Sequence, residues 1–199
     1  MGSLVDLLKN NAEICKKRIL CVTLLFIMFV VGIVCGVVIK KPNVVKEYFE
    51  NYAAKYLESV FSLPLGKILV KRLINTLILV LFACLTVVLV FFFPFSVAIV
   101  FFKGYALGCI AVVFCSSYSF LGIFAFFSVF LLQNLCFCFG YILFLTICFD
   151  FGVRGGCIKR GNFLYFLPYL CLYSVYFILC ALLELLLAGV FFRAVFSVL

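Results

Sequence analysis

The sequence predicts an all-α fold, a polytopic transmembrane helical bundle of about five spans with one amphipathic interfacial helix. Of its 199 residues, 69% are apolar and only 12% are charged, about half the charged fraction of an average globular domain. The mean hydropathy is +1.41, and the apolar excess, which includes 28 Phe, extends along the whole chain. This distribution excludes a soluble domain with a single anchor, so we interpret residues 1–199 as one integral membrane domain.

Five apolar runs are long enough to cross the hydrocarbon core, which needs roughly 20 helical residues. They cover residues 19–39, 73–92, 95–115, 120–149 and 163–192. Phe93 and Pro94 separate the second run from the third, and the chain is expected to reverse there because proline cannot continue the preceding helix. The second and third spans therefore form an antiparallel hairpin.

The fourth and fifth runs are longer than one upright span. The fourth is expected to tilt, protrude or break, and the polar pair Gln133 and Asn134 is its expected weak point. Pro168 suits an early helical position and would shorten the fifth span to about 24 residues. The first run is too long for the apolar region of a signal peptide and no small-residue cleavage site follows it, so we expect an uncleaved helix.

An amphipathic helix is predicted over residues 44–61. Its apolar residues recur at the i, i+3, i+4 spacing of one helical face, and charged residues occupy the other face. Two interpretations are open, a helix that lies on the membrane surface and one that offers its aromatic face to a protein partner. The partner surface would consist of Tyr48, Phe49 and Tyr52.

The charges of the loops are too evenly distributed to orient the bundle. With five crossings, the side of the N-terminus carries seven Lys and Arg residues and the opposite side carries eight. We expect a cytoplasmic N-terminus in the cell membrane because Lys16, Lys17 and Arg18 abut the first span. Lipid head groups account for the net charge of +9, so membrane lipid is an expected partner and nucleic acid is not.

Neither catalysis nor a cofactor is expected. The chain has no His, which excludes His-based triads and His-ligated zinc sites, and it has no phosphate-binding loop. Most of the 12 Cys lie within apolar runs, and the closest two, Cys136 and Cys138, point to different faces of a helix. We therefore expect no metal site and no disulfide framework, and we interpret the chain as a non-enzyme.

Polar groups inside the predicted spans are candidates for function because lipid offers them no partner. Lys103 lies in the third span and Glu184 in the fifth, and the two would neutralise each other if those spans pack together. The alternative is that each reaches an interface along its own side chain. Gln133 and Asn134 need interhelical hydrogen bonds, which would orient a bundle more than stabilise it.

Two G-x-x-x-G motifs indicate close helix packing or an assembly surface. Gly32 and Gly36 form the first, and Gly104 and Gly108 form the second, directly after Lys103. Small residues at this spacing let two helix backbones approach closely. A homo-oligomer is left open by these motifs.

The order of these features resembles the stage II sporulation protein M family. The resemblance rests on a basic N-terminus, a first span with G-x-x-x-G, an amphipathic stretch, the sequence from Lys103 to Gly108, and Gln133 with Asn134 in a later helix. It implies a non-enzymatic membrane scaffold for forespore engulfment, which anchors sporulation proteins D and P, peptidoglycan hydrolases, at the septal membrane. The alternative from another class is a small transporter or channel subunit, with a polar path through Lys103, Glu184, Gln133 and Asn134.

Overall fold

The computed structural model describes residues 4–39, 47–48, 50–51, 65–117, 126–154 and 160–187. Within these ranges the protein is an all-α bundle without strands, as predicted. Five of its helices are long and apolar enough to cross a membrane, which agrees with the predicted number of spans. The six helices are α1 (Leu4–Lys17), α2 (Ile19–Val38), α3 (Leu65–Val88), α4 (Phe93–Ser117), α5 (Leu132–Val153) and α6 (Arg160–Leu186).

The N-terminal helix α1 was not predicted as a separate element. It is amphipathic, and its half-buried Leu7 and Ile14 pack against the core. Arg18 alone separates it from α2, with φ −106° and ψ 30°. The end of the bundle that carries Arg18, the α3–α4 hairpin and the start of α6 is named the N-terminal face.

The hairpin between α3 and α4 lies slightly earlier than the sequence predicted. Leu89 is extended, residues Val90–Phe92 form a 3₁₀ turn, and Pro94 is the second residue of α4. Proline fits there because the first turn of a helix needs no N–H donor. The reversal thus precedes Pro94, and α3 begins at Leu65 instead of residue 73.

The fourth run was expected to tilt, protrude or break, and the expectation that Gln133 and Asn134 are its weak point is wrong. Both lie in the first turn of the regular helix α5, and the irregular piece is a π-helical turn at Phe126–Leu131 just before it. Both polar side chains line a cavity with polar residues of neighbouring helices, so the helical backbone of α5 needs no interruption there. Helix α5 also continues past residue 149 to Val153, and residues 120–125 of the predicted span lie outside the described residues.

The predicted effect of Pro168 is also wrong. Helix α6 begins at Arg160, so Pro168 lies well inside it. The missing N–H of Pro168 removes only one hydrogen bond, to the carbonyl of the strongly exposed Leu164, and the packing of α6 against α5 preserves the helix. Residues 188–192 of the predicted span lie outside the described part.

Helix α5 forms the centre of the bundle. More than half of its span is buried, against about a fifth for α2 and α3. Phe144 is fully buried and packs on Phe166, Tyr173 and Phe177 of α6. The outer surfaces of α2 and α3 expose large apolar side chains, as expected for helices in contact with lipid.

The predicted amphipathic helix over residues 44–61 lies mostly outside the described residues. Glu47, Tyr48, Glu50 and Asn51 have helical backbone, and the Tyr48 side chain is 64% exposed. Phe49 and Tyr52, the other two residues of the predicted partner surface, lie outside the described part.

Candidate functional site

A small polar cavity lies between α3, α4, α5 and α6, and we name it the polar cleft. Its volume is about 30 Å³, enough for one or two water molecules. Six of its lining side chains are polar, and they come from three helices. These residues are Arg72, Asn75, Thr76, Lys103, Gln133 and Asn134.

Lys103 reaches this cleft from the middle of α4. Its Nζ lies 5.7 Å from the centroid of the Phe137 ring, within the range of a cation–π interaction. Cys180 and Ala181 of α6 line the same cleft, and Glu184 follows one helical turn later. The Glu184 side chain lies outside the described part of the structure, so its pairing with Lys103 stays a prediction.

Gln133 and Asn134 line the cleft from the first turn of α5. The Gln133 side chain is buried, while Asn134 is half-buried. These two residues and Lys103, 30 positions earlier in the chain, therefore share one cavity. From the sequence all three were polar groups in apolar helices, and only the transporter alternative placed them on one path.

The four glycines of the G-x-x-x-G motifs meet each other across α2 and α4, the most extensive helix pair in the described bundle. A methyl group on Gly32 or Gly36 would overlap the carbonyl oxygen of Phe101 or Tyr105. A methyl group on Gly104 or Gly108 would overlap the carbonyl oxygen of Phe29 or Ile33. We name this contact the glycine seam. Both sides of the seam belong to the same chain, so a homo-oligomer would need another surface.

An ion cluster lies at the N-terminal face, at the end of α5. The Asp150 side chain is fully buried, and Arg18 donates a hydrogen bond from Nε to its Oδ1 at 2.8 Å. Arg154 Nη2 lies 2.8 Å from Oδ2, but without hydrogen-bond geometry, so this contact is an ion pair. The Arg18 guanidinium also lies over the Phe149 ring, 5.7 Å from its centroid. The cluster fixes the α1–α2 junction to α5.

A second contact holds α1 against the membrane helices. Asn11 Nδ2 donates to the hydroxyl of Tyr173 on α6 at 2.9 Å. One turn later, the Cys15 thiol donates weakly to Asn11 Oδ1, and burial raises the pKa of that thiol. Neither contact was predicted, although Leu4, Leu7, Leu8 and Ile14 have the spacing of an amphipathic helix.

The cysteines are free thiols in all eleven cases that lie in the described ranges. Those ranges contain no group of three or more Cys, Asp or Glu side chains placed to hold a metal ion.

No family model, curated protein or solved structure matches this chain. The resemblance to the stage II sporulation protein M family accordingly stays a prediction.

Proposed function

We propose that the chain is a non-enzymatic membrane scaffold of the sporulation engulfment machinery, which anchors peptidoglycan hydrolases at the septal membrane. The proposal begins from the family resemblance. One observation supports it: Lys103, Gln133 and Asn134, from two of the segments that carry the resemblance, line the same polar cleft. Polar groups that face each other between helices are suited to fixing the arrangement of a bundle.

The proposed partner surface is the aromatic stretch with Tyr48, Phe49 and Tyr52, between α2 and α3. It follows the end of α2, and this end of the bundle is opposite the N-terminal face. With a cytoplasmic N-terminus the stretch would face the extracytoplasmic space, where peptidoglycan hydrolases act. Exposure of Tyr48 is compatible with a contact to another protein.

Co-purification with sporulation proteins D and P tests this function. The full chain is expected to retain the hydrolases in mild detergent, and replacement of Tyr48, Phe49 and Tyr52 by Ser is expected to release them. The control replaces Val5 and Leu8, two exposed apolar residues of α1 at the other end of the bundle, by Ser. If the unchanged chain retains neither hydrolase, the scaffold function is wrong. If the triple variant retains them as well as the unchanged chain does, the partner surface is wrong.

The second candidate is a small transporter or channel subunit, and the polar cleft favours it because polar groups from three helices gather in one cavity between helices of membrane-spanning length. The two candidates differ in ion or solute flux through reconstituted liposomes. A scaffold predicts no flux above protein-free liposomes. Flux that disappears in Lys103→Met, in a protein that still folds, would favour the transporter.

A further inference from the structure

A wide groove lies at the N-terminal face, between α1, the end of α5 and the first turns of α6. Its volume is about 990 Å³. This is the upper end of the range of roughly 300–1,000 Å³ for sites that bind small molecules. The groove is separate from the polar cleft, which lies between other turns of the helices.

The polar wall of the groove carries charges of both signs. Asp6, Asn10, Glu13 and Lys17 line it from α1, at positions i, i+4, i+7 and i+11, which form one stripe along a helix. Arg154 lines it from the end of α5, and its side chain is about half exposed although it pairs with Asp150. The described wall thus has two carboxylates and two cations.

The opposite wall is apolar and leads to the surface that faces lipid. Leu164 and Tyr165 line the groove and are 69% and 73% exposed. They are also the first residues of the membrane-spanning part of α6, Leu164–Leu183. A molecule in the groove would therefore have its polar end beside α1 at the membrane interface and its apolar end along α6.

We propose that this groove binds one molecule of phosphatidylethanolamine. Its phosphate would lie beside Lys17 and Arg154, and its ammonium group beside Glu13 on the same wall, with the acyl chains along Leu164 and Tyr165. The choice of head group follows from the presence of both carboxylates and cations on this wall. Phosphatidylglycerol would bring the same phosphate to Lys17 and Arg154 but no ammonium group for Glu13, and a choline head group has no N–H to donate to a carboxylate.

Tryptophan fluorescence in vesicles tests this proposal because the chain has no Trp. Tyr165→Trp places a single fluorophore at the groove. Val175→Trp places one on the exposed surface of the same helix, about 15 Å further along, as the matched control. Each full-length variant is reconstituted in vesicles that contain equal mole fractions of brominated phosphatidylethanolamine, phosphatidylcholine or phosphatidylglycerol, because bromine quenches the nearby Trp.

At position 165 we expect quenching by brominated phosphatidylethanolamine to correspond to an affinity about threefold higher than that of the other two lipids. A factor of this size is what one partly exposed ion pair contributes. At position 175 the three lipids should quench equally. Glu13→Gln should remove the preference over phosphatidylcholine, and Lys17→Gln should weaken binding of both zwitterionic lipids. Lys9→Gln removes the same charge from an exposed position of α1 outside the groove and should change nothing.

Equal quenching by all three lipids at position 165 would mean contact with bulk lipid only, and the proposal would be wrong. Stronger quenching by phosphatidylglycerol would overturn it as well, because attraction by the basic N-terminal face would then suffice. A preference that persists unchanged in Glu13→Gln would contradict the proposed ammonium contact. Val175→Trp in each variant background should still be quenched equally by the three lipids, which shows that any change at position 165 belongs to the groove.

Discussion

Asp150 illustrates how a single residue can connect distant parts of the bundle. Its carboxylate is fully buried between Arg18, which precedes α2, and Arg154 at the end of α5. A buried carboxylate is strongly unfavourable without such partners. The carboxylate in turn holds the two arginine side chains in place. The cluster therefore defines where α1 and α2 meet the core of the bundle.

Replacement of Asp150 by Asn should destabilise the protein by about 3 kcal/mol, the lower end of the range for breaking a buried ion pair, because solvent reaches both arginines. The measurement is the midpoint of unfolding in mixed detergent micelles with increasing dodecyl sulfate. Glu13→Gln removes an exposed carboxylate from α1 and should change stability by less than about 0.5 kcal/mol. Equal stability of the two variants would contradict the role assigned to the ion cluster.

Sequence analysis could identify only part of this cluster. Asp150 and Arg154 are four residues apart, the spacing at which opposite charges meet on one face of a helix. Arg18 was interpreted only as a charge that orients the first span. Its contact with Asp150 joins residues 132 positions apart, and such a contact depends on the packing of whole helices.

At the scale of elements, the glycine seam lies in the most extensive contact between two described helices. The sequence showed two G-x-x-x-G motifs but did not indicate whether they pair with each other or with another chain. Helix register decides this question, and register depends on contacts across the bundle. The same limit applies to the polar cleft, since the sequence marked Lys103 and Gln133 without showing that they share a cavity.

The substitution Gly104→Ala should separate α2 from α4 and destabilise the protein by about 1–3 kcal/mol, because the added methyl group meets the rigid backbone of α2. Gly66→Ala is the matched control, since a methyl group on Gly66 would meet no described atom within 4 Å. It should change stability by less than about 0.5 kcal/mol, because Gly66 is exposed and is only the second residue of α3, whereas the full difference in helix propensity between Ala and Gly applies to a helix interior. Thermal unfolding in detergent compares the two variants. A loss of stability in Gly104→Ala that is no larger than the change in Gly66→Ala would contradict the close packing of the seam.

For the whole molecule, the length of the apolar runs was enough to predict the helical class and the number of described helices that are long and apolar enough to cross a membrane. This succeeds because the thickness of the hydrocarbon core requires a minimum number of helical residues. The ends of the helices were less predictable. Pro94 and Pro168 have the same local chemistry, yet one begins a helix and the other lies inside one, because tertiary packing preserves α6.

The central claim is that the chain crosses the membrane five times. A topology map made with reporter fusions tests this claim most directly. Alkaline phosphatase, active outside the cytoplasm, and green fluorescent protein, fluorescent inside it, are fused in parallel after Ile39, Leu89, Ser117, Arg154 and Leu187. With a cytoplasmic N-terminus, fusions after Leu89 and Arg154 should fluoresce, and fusions after Ile39, Ser117 and Leu187 should show phosphatase activity. Two consecutive fusion points on the same side of the membrane, or a Leu187 fusion on the side of the N-terminus, would contradict the five-span bundle.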